Sequence, residues 1–219
     1  MSKPQLTIEA LCAEAAVFAE VESSFPEPSL YGVTDGKAIG TYLEHKFRGY
    51  LEGGYSYQAG NSASGIDFPG LGVDMKVTSA AQPQSSCPFK SARQKIFGLG
   101  YALVVFVYSK TDAPQSQTST LKIAHTIFVD RHRTADYQMT RGLRQILDNN
   151  GNQDDLVAFM NDKLLPVDGM EAQKIAGELL AGAKMEQGYL TVSNALQWRL
   201  QYARVISEAG SVDGVLRVR

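Results

Sequence analysis

Gly65-Ile66-Asp67-Phe68-Pro69-Gly70-Leu71-Gly72-Val73-Asp74-Met75-Lys76-Val77-Thr78 reads as two strands joined by a tight turn. Ile66 to Phe68 is the first strand and Gly72 to Ser79 the second, with Pro69-Gly70 as the turn signal between them. Side chains two apart on a strand share a face. Asp74 and Lys76 therefore project together, and Asp67 reaches the same point from the neighbouring strand. Two carboxylates converging with one ammonium are costly to hold unless something sits between them. A divalent cation removes that cost. Carboxylate oxygens suit Mg²⁺, which keeps several waters and takes one or two protein carboxylates plus a phosphate.

The elements on either side predict an α/β sheet flanked by helices. Upstream, Leu6, Ala10, Leu11, Ala15, Phe18 and Val21 recur at helical spacing over residues 5–23, and Pro26 and Pro28 stop that helix. A second helix covers 36–51, with Ile39, Leu43, Phe47 and Tyr50 on one side and Gly53-Gly54 at its end. Downstream, Ala80 to Ser86 is a polar loop. Pro88 suits the first turn of a helix that runs to Phe97 and ends at Gly98 or Gly100. Tyr101 to Tyr108 is almost continuously apolar, as expected of a strand covered on both faces. A polar loop over Ser109 to Thr120 and a strand over Leu121 to Asp130 follow. Helices are predicted at about 134–148, 152–164, 169–185 and 191–208, with a short strand at Val212 to Val218.

The chemistry that uses two carboxylates, a hard cation and a lysine is phosphodiester hydrolysis. The metal polarises a phosphoryl oxygen and lowers the pKa of a bound water. Lys76 would position or help deprotonate that water, and stabilise charge building on the phosphate.

On these residues the sequence resembles the PD-(D/E)xK nuclease superfamily. The pattern Asp67…Asp74-Met75-Lys76 matches its signature, and Asp74-Met75-Lys76 falls on the strand before the crossover helix, as it does there. The proline that usually precedes the first aspartate is replaced by Ile66, and Pro69 stands two residues after it. The resemblance covers about residues 36–108. It implies a restriction-endonuclease-like core with a central mixed β-sheet and a mostly helical C-terminal third. It also implies a metal held by Asp67, Asp74 and the Met75 backbone carbonyl, with Glu44 supplementing the site from the preceding helix. Arg93 and Gln94 would border the site from the crossover helix. Size and added helices make the chain most similar to a type II restriction endonuclease that is Mg²⁺-dependent and cuts double-stranded DNA at a short sequence as a homodimer. One nuclease domain over 1–219 is expected, with its core at about 36–130 and its helical elaboration at about 134–219. A repair or junction-resolving nuclease and a non-catalytic DNA-binding protein remain open alternatives.

Composition supports an anionic partner only locally. The formal net charge is -2, but residues 75–147 carry 10 basic and 3 acidic side chains. Residues 1–74 carry 4 basic and 10 acidic. A basic middle in an acidic chain points to a local anionic ligand. Gln82, Gln84, Ser85 and Ser86 are residue types suited to base edges, and Lys90, Arg131 and Arg133 to phosphates or guanine. Asn194, Gln197, Trp198, Arg199 and Arg204 would lie on one helix that could enter a DNA groove, although its tryptophan suits a core or dimer contact. Cys12 and Cys87 are too few for a disulfide framework, and three histidines lack zinc spacing. Gly65 to Gly72 lacks the Gly-Lys-Ser/Thr of a phosphate loop. No apolar run approaches the ~20 residues of a membrane span. No signal peptide is visible, so a cytoplasmic location is the expectation.

Overall fold

The computed structural model describes residues 3–60, 65–86, 90–193 and 199–219. The predicted helix start at Pro88, and Cys87, Asn194, Gln197 and Trp198, lie outside the described residues.

The main sheet is mixed. Its order is β1 (Pro26–Glu27), β5 (Thr118–Val129), β4 (Ala102–Ala113), β2 (Val73–Ser79), with β8 (Val215–Arg217) also pairing β5. β2 runs parallel to β4 in the register Asp74↔Leu103 and Lys76↔Val105, while β4 and β5 form a long antiparallel hairpin. Parallel strands need a crossover, and α3 (Gln94–Phe97) lies within it. A smaller antiparallel sheet of β3 (Gln84–Ser86), β7 (Arg199–Gln201) and β6 (Thr191–Val192) lies beside the main one.

Alternation sorts the side chains of β4 between two cores. Val104, Phe106 and Tyr108 join α1 (Ile8–Glu22) and α2 (Gly36–Gly54) on one face. Leu103, Val105 and Val107 meet Val192, Leu200 and Tyr202 of the small-sheet region and Val205 of α7 (Ala203–Glu208) on the other. A third cluster, with Ile96, Leu143, Met160 and Ile175, binds α3 to α4 (Tyr137–Asp148), α5 (Gln153–Asp162) and α6 (Gly169–Leu180).

Five expectations need correction. Ile66 to Phe68 is not a full strand: Phe68 and Val73 form one isolated bridge around the Pro69-Gly70 turn, because the chain reverses at once. Gly72 takes φ +64° there, a conformation that favours glycine. The helix expected to run to Phe97 is, among the described residues, the single turn Gln94–Phe97, ended at Gly98 with φ +86°. Ser109 to Thr120 is not one long loop; β4 and β5 continue through it as a hairpin with its turn at Pro114 to Gln117, and most of its polar residues are exposed. Gln84–Ser86 is a strand within the predicted 80–86 loop. The helix expected over 191–208 begins only at Ala203, and β6 and β7 precede it. Leu190 and Val192, like Leu200 and Tyr202, are buried two residues apart, which is strand rather than helix periodicity. The C-terminal third is thus three helices followed by short strands and one further helix turn.

Candidate active site

β2 ends the main sheet on one side, and its two faces divide the labour. Val73, Met75 and Val77 turn into the core beneath α1 and α2. Asp74, Lys76 and Thr78 project from the opposite face, in register with Leu103, Val105 and Val107 of β4. The strand is therefore anchored by one set of side chains while the other presents charge.

Asp74 is 4% exposed, and its Oδ2 lies 2.6 Å from Lys76 Nζ. That buried oxygen makes no hydrogen bond of good geometry. Burial pushes the Asp74 carboxyl up to about 6. Lys76 pulls it down, and a side-chain hydrogen bond to Asp67 pushes it up again. The two aspartates thus lie side by side.

Asp67 stands in the turn before β2, and both of its oxygens are held. Oδ1 accepts from Arg48 Nη2 at 2.9 Å, and Oδ2 accepts from the Met75 N–H at 2.9 Å. The Met75 backbone lies on the free edge of β2, where an edge strand leaves its polar groups unpaired by a ladder. Glu44 approaches from α2. Burial raises its pKa, and Asp67 raises it further against the pull of Lys76, Arg48 and His45. Glu44, Asp67, Asp74 and Lys76 therefore share one electrostatic neighbourhood, as the sequence predicts. Among the described residues they do not form a cluster of three or more acidic, histidine or cysteine ligands. Two adjacent carboxylates, one with a buried oxygen short of a well-formed hydrogen bond, fit a hard divalent cation that takes one or two protein carboxylates and completes its shell with water.

Sequence reasoning missed Arg48. It stands one helical turn after Glu44 on α2, and that i, i+4 spacing was the available signal. Arg199, expected on a groove-entering helix, sits instead on the strand β7.

The proposed DNA contacts separate into two groups. Gln82, Gln84, Ser85, Ser86 and Arg199 line a groove of about 770 Å³ together with Glu44 and Lys76. Lys90 and Arg131 are exposed. The rest are engaged inside the protein. Arg93 forms ion pairs with Glu171 at 2.8 Å and with Glu178, both on α6. Gln94 accepts from Lys90 N–H and donates to the Leu99 carbonyl. Arg133 donates to the carbonyls of Asp213 and Gln187 and pairs with Glu186. These three brace the fold and are not brought to Asp74. His45 is exposed and His125 half-buried. Cys12 is half-buried against the first core, and burial pushes its thiol up to about 11.

A mixed α/β sheet whose outer strand presents a carboxylate and a lysine, with a second carboxylate in the turn before it, lies here beside a polar groove. The chain belongs to the type II restriction enzyme NspV family, whose model matches residues 5–217. It is 66% identical over 213 residues to the type II restriction enzyme NspV of Nostoc sp. (strain ATCC 29411 / PCC 7524), covering 97% of this chain and 96% of that one. No solved structure matches it. No helix among the described residues is long and apolar enough to cross a membrane.

Proposed function

We propose that the chain is a Mg²⁺-dependent type II restriction endonuclease that hydrolyses phosphodiester bonds of double-stranded DNA at a short sequence. The observation that carries this reading is the meeting of Asp67, Asp74 and Lys76 at the edge of β2, with Glu44 and Arg48 beside them. Asp67, Asp74 and the Met75 carbonyl would hold the metal, which supplies a polarised phosphoryl oxygen and an acidified water. Lys76 orients the attacking water and meets the negative charge that grows on the phosphate. Asp74 holds the Lys76 ammonium close to the scissile bond. Glu44, with its raised pKa, takes a proton from the water side. Arg48 and the Met75 N–H hold the Asp67 carboxylate in one orientation.

Gln82, Gln84 and Ser86 face the DNA, and Lys90 and Arg131 contact its phosphates. The whole chain acts as one nuclease domain. Cutting both strands of a palindrome requires a symmetric dimer. Leu164 and Met170, exposed apolar side chains at the start of α6 and just before it, support an interface on the C-terminal helices. Incubation of plasmid with the protein and Mg²⁺ tests the reading. Discrete limit fragments, abolished by chelator and by Lys76→Ala, are expected. Smearing or structure-dependent nicking would indicate a repair nuclease, and binding without any cutting would indicate a non-catalytic protein.

A further inference from the structure

We propose that the antiparallel pair β3–β7 is the base-reading ribbon of this enzyme and that Arg199 reads a guanine in the major groove. The inference rests on the endonuclease reading and extends it to the element that sets sequence choice. Registers Gln84↔Gln201 and Ser86↔Arg199 place four side chains on one face of the pair. The other face is committed to the interior: Leu200 is fully buried, and the Ser85 hydroxyl meets the buried Tyr202 hydroxyl at 2.5 Å. Among the described residues of the pair, that face carries two amides, a hydroxyl and a guanidinium.

That composition matches the edges of bases. An arginine pairs bidentately with guanine O6 and N7, and a glutamine pairs with adenine in the same way. The major groove admits a two-stranded β-ribbon, and β3 is the edge strand of the three-stranded sheet β3–β7–β6, so the pair enters the groove from its β3 edge. Same-face residues on a strand stand about 6.8 Å apart. Two base steps of about 3.4 Å along one DNA strand span the same length. Gln84, Ser86 and Arg199 line the groove that also contains Lys76, so a duplex seated on the ribbon runs past the catalytic strand. The ribbon is fastened to that strand. Thr78, two residues beyond Lys76 on the same face of β2, donates to the carbonyls of Gln84 at 3.1 Å and Gln82 at 3.3 Å. Tyr202 N–H donates to the Pro83 carbonyl at 2.8 Å.

The test uses the full-length protein and a duplex carrying the site found by sequencing limit-fragment ends. Competition binding without Mg²⁺ compares that duplex with a scrambled one, and with one in which each guanine in turn is replaced by 7-deazaguanine. The wild type is expected to lose affinity at one guanine. Arg199→Ala should lose about 10–100-fold in discrimination and show no further penalty at that guanine. Arg199→Lys, which keeps the charge but not the fork, should resemble Arg199→Ala. It serves as the second variant if Arg199→Ala fails to fold. Unchanged discrimination, the same deazaguanine penalty in variant and wild type, or a site containing no guanine overturns the proposal. A wild type that makes no discrete fragments overturns the endonuclease reading instead, which separates the two failures.

Discussion

The main sheet and the small sheet meet at Thr78 but carry their polar groups in opposite ways. On β2 the polar groups are charged, partly buried and locked to one another: Asp74 to Lys76, and Asp67 to Arg48 and the Met75 N–H. On β3 and β7 the outer face is mostly neutral, and Ser86 and Gln201 are exposed. Buried charges are worth most where charge develops in a reaction, since fixed dipoles and ions act strongly in a dry place. Exposed amides and hydroxyls discriminate through hydrogen bonds without paying a large desolvation penalty. The two regions are thus chemically distinct, and besides the core they share, the Thr78 hydroxyl fastens β3 to β2.

The sharpest break of that separation is Asp74→Ala. It should reduce cleavage by about 1,000-fold or more, since the site loses a metal ligand and the partner of Lys76. DNA affinity without metal should persist or rise, because a negative charge leaves the phosphate site. Single-turnover cleavage and a gel-shift titration measure the two effects; parallel losses in both would mean the two regions are not separate.

Arg48→Ala comes next. It removes one of the two groups holding Asp67 but leaves the Met75 N–H. Weakening of Ca²⁺ or Mn²⁺ binding by about 10–100-fold is expected, as for other groups that orient a metal ligand. Calorimetry of metal binding reads this apart from turnover, and wild-type affinity would remove Arg48 from the site.

Thr78→Val probes the joint. The substitution keeps the shape and deletes the hydroxyl that holds β3. Loss of one such hydrogen bond is worth about 2–10-fold, and it should appear in discrimination between cognate and scrambled duplex more than in the cleavage rate. A larger effect on rate than on discrimination would place Thr78 with the catalytic group.

The smallest effect is on stability. Folding raises the Asp74 pKa from 3.8 to about 6, so the native state holds that proton more tightly than the unfolded chain. The contribution is fully present below about pH 4 and is lost as the pH rises to about 6. Metal-free wild type should therefore lose stability relative to Asp74→Asn between these values in urea unfolding. Equal curves for the two proteins would remove the burial effect from Asp74.

The juxtaposition of Asp67, Asp74 and Lys76 was legible in the sequence because its signals are local. Asp74 and Lys76 need only a two-residue period, Pro69-Gly70 marks the turn, and Tyr101 to Tyr108 announces a buried strand. Glu44 follows from its place on the preceding helix. The reading half was not legible, because β3 and β7 are three residues each and pair across more than a hundred residues of chain. Short strands carry too few alternations to distinguish themselves from loop or helix. The charges of Arg93 and Arg133 misled for a related reason: their partners Glu171, Glu178, Glu186 and Asp213 come from distant segments, so a basic sequence run does not survive folding as a basic surface.

The central claim is that Asp67 and Asp74 hold a cation against a DNA phosphate beside Lys76. Anomalous scattering from Mn²⁺ in crystals of a Lys76→Ala complex with cognate duplex reads it directly. The account predicts a peak about 2.1–2.2 Å from an oxygen of each aspartate, with a backbone phosphate next to it. A peak elsewhere, or a duplex seated away from β2, contradicts it.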